Sequence, residues 1–306
     1  MHNPVLLEET ISFLVTNPDG VYVDCTLGGG GHLACLVNKL GREAKIIAID
    51  KDETIMEKTR KQFADYDNID FVYDDFMNLN QILTERNIPL IDGIVIDLGV
   101  SSFQLDESER GFSYHNQATL DMRMDRGQNL TAKAIVNNYT QEQLSNLIFT
   151  YGEERYARSI AAKIVGYRTD KEIETTLELV EIIKTAIPAK YKRDKHPARK
   201  TFQALRIEVN GELDSLTKIL PQAVESLKAE GRLCIITFHS LEDRIVKQFM
   251  QEKSRDCICP VGFPICICNH KAELKILTRK PVIASESEID ENARARSAKL
   301  RVAAKM

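Results

Sequence analysis

Residues Val21-Tyr22-Val23-Asp24-Cys25-Thr26-Leu27-Gly28-Gly29-Gly30-Gly31-His32 carry a β-branched run into an acid and then into four consecutive glycines. Glycine tolerates positive φ and has no Cβ to hold a ligand away. A helix following over His32–Leu40 would aim its N-terminal amides into the same space. The chemistry this pattern serves is binding of a nucleotide-type cofactor, since a flexible linker rarely sits between a clean strand and a clean helix. Gly29-x-Gly31-x-x-Ala34 satisfies the relaxed dinucleotide fingerprint, so the glycines alone leave a dinucleotide and S-adenosylmethionine both open. Asp24 stands four residues before Gly28 and puts a carboxylate at the strand tip. A carboxylate there suits a cationic amino-acid cofactor better than a pyrophosphate.

Asp50, about twenty residues beyond the glycines at the end of the next apparent strand, is placed to accept hydrogen bonds from two ribose hydroxyls. The competing role for Asp50 or Asp52 is to cap the following helix. Asp74-Asp75-Phe76 after a third strand would offer an aromatic or amide contact to an adenine ring, although Phe76 reads equally well as core. Asp97-Leu98-Gly99-Val100-Ser101-Ser102-Phe103-Gln104 falls at a fourth strand tip, where amino-group methyltransferases carry a short acid- or amide-led motif. An exocyclic amine has its lone pair delocalised into the base. It attacks a sulfonium methyl well only if acceptors bind its hydrogens and favour a pyramidal nitrogen. Asp97 would be such an acceptor, but the Pro-Pro-aromatic run common in DNA amino-methyltransferases does not follow it.

These tips need strands and helices in alternation to position them. Strands are expected at Val21–Cys25, Ile46–Asp50, Ile69–Tyr73 and Gly93–Leu98, with helices at Leu6–Val15, His32–Leu40, Glu53–Ala64 and Leu79–Arg86. That order predicts a parallel, doubly wound sheet with ligands outside the carboxyl ends of its strands. From about Glu109 to Phe202 only loop and helix patterns occur, such as Glu153–Tyr167, Thr176–Ile187 and a run from near Pro197. Strands resume at Arg232–Phe238 and Ala298–Ala303. The expected organisation is an α/β domain in two parts, residues 1–108 and 204–306, with an inserted helical domain over 109–203 and a crevice between two lobes.

A chain of 306 residues, 43% hydrophobic and 28% charged, can bury a core large enough for two domains. No apolar run approaches membrane-spanning length, and Met1-His2-Asn3-Pro4-Val5 lacks the layout of a signal peptide, so a cytoplasmic protein with no membrane partner is expected. Cys25, Cys35 and Cys234 fall within apparent strands or helices as small reduced core residues. A net charge of −4 argues against a general nucleic-acid coat, so an anionic partner must be held by local patches.

Several motifs together resemble the bacterial 16S rRNA cytosine-N4 methyltransferases of the RsmH/MraW family. They are His2-x-Pro4-Val5-Leu6-Leu7, Asp24-x-Thr26-x-Gly28-x-Gly30-Gly31-His32, the Asp97 to Asp106 segment, Arg110-Gly111-Phe112-Ser113 and Leu120 to Asp125. Tyr151-Gly152-Glu153-Glu154, Phe202 to Ile207, Val209-Asn210-x-Glu212-Leu213, Phe238 to Arg244 and Arg294 to Arg301 extend the resemblance to the C-terminus. It implies a Rossmann-like domain, interrupted by a helical substrate-recognition domain, that methylates a cytidine of the ribosomal decoding centre from S-adenosylmethionine. The implied cofactor contacts are Gly30, Gly31, His32, Asp50, Phe76, Asp97 and Gln104. Asp97 and, more weakly, His239 are the candidate catalytic residues. Ala293 stands where the family usually has proline, which would loosen the C-terminal segment without removing a chemical group. The partner implied is 16S rRNA or the small ribosomal subunit.

Lys190, Lys192, Arg193, Lys195, Arg199, Lys200 and Arg206 face a single acid, Asp194, in one stretch of sequence. Charge runs are usually solvated faces, but this one lies in the insertion that must hold substrate. Lys192, Arg193, Arg199, Lys200 and Arg206 are therefore the expected RNA contacts. A second basic run, Arg294, Arg296, Lys299, Arg301 and Lys305, follows an acidic stretch. Cys257-x-Cys259 and Cys266-x-Cys268 have one intervening residue where zinc knuckles usually have two. The preferred reading is a reduced hairpin with cysteine and isoleucine alternating at strand period, and no metal is assigned. Two rival functions remain at this level: a nicotinamide-dependent oxidoreductase, and a non-catalytic RNA-binding protein.

Overall fold

The computed structural model describes residues 4–188, 196–260 and 266–306. Helix α1 (Leu7–Leu14) leads into strand β1 (Val21–Asp24), then α2 (Gly31–Lys39), β2 (Lys45–Asp50), α3 (Glu53–Gln62), β3 (Ile69–Tyr73), α4 (Leu79–Glu85) and β4 (Ile91–Asp97). Each expected element of this stretch is present; β3 has the expected bounds and the ends of the others move by at most two residues. β4 reads as a continuous apolar run because Ile94, Val95 and Ile96 are all fully buried, as strands inside a parallel sheet are on both faces.

The chain then builds a second compact unit, residues 100–212. It holds α5 (Ser102–Asp106), α6 (Ala132–Asn138), α7 (Gln141–Gly152), α8 (Ala157–Arg168), α9 (Thr176–Ala186) and α10 (Arg199–Asn210). The helix expected over Glu153–Tyr167 instead starts at Ala157. Glu153 takes the left-handed conformation (φ 48°) that closes α7, and the Glu154 carboxylate accepts from the Tyr156 amide at 3.0 Å. The unit has its own core, in which Leu120, Ile135, Leu144, Ile160, Ile183 and Leu205 are fully buried. The expected edges at 108 and 203 both fall inside it; a cut at 203 would sever α10, whose helix continues to Asn210.

After this unit come α11 (Glu212–Ser226), β5 (Leu227–Thr237), α12 (Ser240–Lys253), β6 (Leu274–Ile276), α13 (Glu286–Glu291) and β7 (Lys299–Lys305). Residues 1–99 and 213–306 form the other compact unit, built on a seven-stranded sheet of order β3-β2-β1-β4-β5-β7-β6. β1 to β5 pair in parallel, whereas β7 lies antiparallel between β5 and β6. Alternate residues feed two helical layers. Ile46, Ala48, Val95 and Cys234 join α1 and α2 on one face; Ile47, Ile49, Ile94 and Ile235 join α4, α11 and α12 on the other. This is the Rossmann-like architecture expected, with the three-residue β6 as the strand too short to read from sequence. Among the described residues, no helix is long and apolar enough to cross a membrane.

Candidate functional site

β1 is flanked by β2 on one side and β4 on the other, so the chain reverses its direction of travel across the sheet at β1. Crevices of this kind, outside the carboxyl ends of the strands, bind ligands in open α/β sheets. Asp24, Asp50 and Asp97 are the last residues of β1, β2 and β4. Asp24 is 1% exposed; its Oδ1 accepts from the Thr26 amide at 3.1 Å, and its Oδ2 is buried with no hydrogen-bond partner. Burial pushes its carboxyl up to about 7 against the Thr26 hydrogen bond, and the charge of Asp50 adds to the rise.

Asp50 accepts at Oδ2 from the Gly28 amide, at 2.8 Å, and at Oδ1 from the Asp52 amide, at 2.9 Å. Each oxygen keeps a lone pair for a further donor. Burial raises its carboxyl to about 6, opposed by those two amides. The capping role falls to Asp52, which accepts from the Ile55 amide at the start of α3. The carboxyl of Asp97 is raised well above the usual range, first by burial and then by the charges of Asp24 and Glu242. Its Oδ1 is buried without a partner, and its Oδ2 lies 3.8 Å from His32 Nδ1. His32 is buried, and desolvation lowers it to about 4, so at neutral pH the ring is uncharged.

The glycines are needed partly for reasons internal to the protein. Gly30 caps α2 at φ 75°, and a Cβ on it would stand 2.7 Å from the Phe63 ring and 2.8 Å from Thr59 Cγ2. A Cβ on Gly31 would meet Pro4 Cγ at 2.2 Å, which ties the glycine loop to the N-terminal segment. Gly29 is the exposed one of the four. Two threonines missed at the sequence level complete the loop. Thr26 Oγ1 accepts from the Asp97 amide at 2.7 Å, and Thr59 donates to the Gly28 carbonyl at 2.7 Å. The signal for Thr26 was its place two residues after Asp24; Thr59 lies inside α3 and gave none.

Phe76 sits half-buried in a 3₁₀ turn beyond β3, packed against the sheet core. Its turn is fixed by Asp75, which accepts from Met77, Ser215 and Lys51. His239 caps α12: Nδ1 accepts from the Glu242 amide at 3.4 Å, while the Glu242 carboxylate accepts from the Phe238 and His239 amides. With Nδ1 accepting, the neutral ring carries its proton on Nε2, which sits 3.1 Å from Glu242 Oε1 but out of hydrogen-bond alignment. This favours the structural role for His239 over the proton-accepting one.

Gln104 belongs to the second unit, where its Oε1 accepts from the Ser101 amide and closes a capping box at the start of α5. Lys192 and Arg193 lie outside the described residues. Arg199 is exposed at the start of α10, and Lys200 donates to the Glu153 carbonyl. Arg206 forks onto Glu212 with two bonds of 2.8 Å, so its expected role as a phosphate contact competes with a structural pairing. Arg110 is 2% exposed and donates to the carbonyls of Arg123 and Met124, while Asn210 ties the Met122 carbonyl and the Met124 amide. These motif residues build the scaffold of the second unit. A cleft of about 800 Å³ in that unit is lined by Lys163, Tyr167, Thr175 and Glu181, among others, and by none of the expected contacts that are among the described residues.

Residues 1–306 match the model of the MraW methylase family across the whole chain. The chain belongs to the MraW methylase family. A protein of Clostridium botulinum strain 657, named ribosomal RNA small subunit methyltransferase H, is 52% identical over 305 residues, covering 100% of this chain and 99% of that protein. A protein of the same name from Caldicellulosiruptor saccharolyticus is 50% identical, with the same coverage. The methyl donor of this methylase is S-adenosylmethionine. Its fit is chemical as well as familial. Asp24 and Asp97 present buried oxygens without partners; the charge of Asp50 raises the Asp24 carboxyl, and that of Asp24 raises the Asp97 carboxyl. A pyrophosphate beside three carboxylates would be repelled, whereas a donor carrying a sulfonium and an ammonium would supply the missing positive charge.

Proposed function

We propose that this methylase transfers a methyl group from S-adenosylmethionine to the N4 amine of a P-site cytidine in the decoding centre of 16S rRNA. The single observation that carries the reading is the trio of strand-end carboxylates, Asp24, Asp50 and Asp97, two of them with unpartnered buried oxygens. Relatives of near-equal length, half identical to this chain, are named as methyltransferases of small-subunit ribosomal RNA. The partner is then 16S rRNA or the assembled small subunit, and the cytoplasm is the site of action.

S-adenosylmethionine supplies a methyl group on a positively charged sulfur. The chain's own residues handle the rest. Asp50, held by the Gly28 and Asp52 amides, would accept from the ribose hydroxyls, and the Phe76 turn would border the adenine. Asp97 would accept from the cytidine amine and favour a pyramidal nitrogen with its lone pair available for methylation. With a carboxyl raised by burial, Asp97 can also take the proton that the nitrogen loses. Neutral His32 stands beside this carboxylate without adding a charge that would compete with the donor. In the second unit, exposed Arg199 together with Lys192 and Arg193 would hold RNA phosphates.

The deciding experiment is mass spectrometry of 16S rRNA nucleosides from a deletion strain, with and without the gene restored. Loss of N4-methylated cytidine on deletion and its return on restoration are expected. Unchanged N4-methylated cytidine in the deletion strain would overturn the reading.

A further inference from the structure

Between α12 and β6 the chain makes a loop whose thiols converge. The sulfur atoms of Cys257, Cys259, Cys266 and Cys268 all lie within 4.8 Å of one another. Cys266 Sγ is 3.5 Å from Cys268 Sγ, which is 3.8 Å from Cys257 Sγ. Four thiolates at about 2.3 Å from a tetrahedral zinc stand about 3.8 Å apart, so the spacing is that of a coordination shell. The expected strand-period hairpin is absent among the described residues here. The backbone instead bends at Cys259 and at Cys268, which lets each Cys-x-Cys pair turn both sulfurs inward despite having only one residue between them. Backbone amides point at the same sulfurs: Ile258 donates to Cys268 Sγ at 3.5 Å and Cys259 to Cys257 Sγ at 3.4 Å. Such bonds stabilise thiolate over thiol.

Among the described residues of the loop, hydrophobic burial does not account for this convergence. Ile258, between the first two cysteines, is 45% exposed and Ile267, between the last two, is 69% exposed, so both isoleucines face water. The base of the loop is closed by polar contacts: the Glu273 amide to the Lys253 carbonyl, Lys253 Nζ to Glu273, and the His270 ring to the Glu252 carbonyl. Those contacts end before the cysteines. With no buried apolar side chain among the described residues from Cys257 to Cys268, the four sulfurs are kept together most readily by an ion that needs all four.

We propose that Cys257, Cys259, Cys266 and Cys268 bind one structural zinc ion as a closed four-thiolate site. A full thiolate set leaves no open coordination position, so the ion orders the loop rather than taking part in chemistry. Soft thiolates select zinc over magnesium, calcium or manganese. Binding releases the thiol protons to solvent as the four metal–sulfur bonds form, with no change of oxidation state.

The test is metal analysis of the whole protein, expressed without a histidine tag and purified under reducing conditions. About one zinc per chain is expected, falling to near none in the double variant Cys257→Ser/Cys268→Ser. Wild-type protein stripped of metal and titrated with cobalt should develop a sulfur-to-cobalt charge-transfer band and the strong visible bands of a tetrahedral thiolate site. Affinity for S-adenosylhomocysteine in the double variant should match wild type, which shows that the variant is folded. Metal-free wild type that gives no cobalt–thiolate band would overturn the proposal. So would iron in place of zinc, or zinc retained at full occupancy in the double variant. Two disulfides in freshly reduced protein would also overturn it.

Discussion

The amide of Asp97 donates to the hydroxyl of Thr26 at 2.7 Å, joining residues 71 positions apart and fixing the tip of β4 to the glycine loop. The bond holds the Asp97 backbone independently of its carboxylate, so position and charge can be separated by mutation. Thr26→Val keeps the side-chain shape and removes the acceptor. A stability loss of about 1–3 kcal/mol is expected in denaturant titration, because an enclosed amide loses its partner. Weaker binding of S-adenosylhomocysteine should accompany it. A variant as stable as wild type would mean that water takes the place of the hydroxyl.

Asp50→Ala should weaken S-adenosylmethionine binding about ten- to hundredfold while the fold survives, since it removes the acceptor of the ribose hydroxyls. It also releases the Gly28 amide, so Asp50→Asn, which retains an acceptor, should lose less. Calorimetric titration with equal affinities for wild type and Asp50→Ala would take Asp50 out of the site.

Asp24 gives the protein an unusual pH dependence. Its folded carboxyl, at about 7, lies above the unfolded value of 3.8, so the folded state holds a proton that the unfolded state gives up. Stability is therefore greatest at low pH relative to this group, falls as pH rises from about 4 to about 7, and is flat beyond. The cost amounts to something on the order of 4 kcal/mol. Asp24→Asn should make that part of the stability curve less steep, with Asp50 and Asp97 keeping a slope of the same sign, as measured by denaturant titration across pH. An unaltered slope would assign the ionisation to another group.

Donor binding should release protons near neutral pH. The cations of S-adenosylmethionine favour the charged forms of Asp24 and Asp50, whose carboxyls otherwise sit near 7 and 6. Calorimetry in buffers of different ionisation enthalpy reads the number of protons released. S-adenosylhomocysteine, lacking the sulfonium charge, should release fewer; equal release by both would rule out a sulfonium–carboxylate contact.

Asp97→Asn is expected to lower single-turnover methylation by on the order of 10²–10³ under saturating donor, with a much smaller change in donor affinity. His239→Asn keeps a residue able to cap α12 and should leave the rate within severalfold of wild type. If the two variants behaved the other way round, the roles assigned to these residues would exchange.

The positions of the strand-end acids were legible in the sequence because β-branched runs stop at them: Asp24, Asp50 and Asp97 close three strands as the pattern required. Their protonation was not legible, since it depends on burial and on mutual charge between residues far apart in sequence. The basic run shows the opposite limit. Composition marked Arg206 as available to phosphate, but Glu212, six residues on, faces it across the end of α10. Local spacing likewise gave the cysteines two readings, and the bends at Cys259 and Cys268 with the convergence of the four sulfurs favour one of them.

The parallel pairing of β4 with β5, Ile94 beside Leu233 and Val95 beside Cys234, joins strands separated in sequence by an entire compact unit. In chain order, residues 100–212 are made after β4 and before its partner β5, so pairing of that side of β4 must await them. Closing so long a stretch as loose chain carries a large entropic penalty, whereas a unit that first collapses on its own core shortens the effective span. This connectivity predicts an order of folding in which the inserted unit matures before the centre of the sheet; the acid at the end of β4 has its final surroundings only once β5 is paired. A slowly collapsing insertion would leave an apolar strand edge open to chaperones and to other chains.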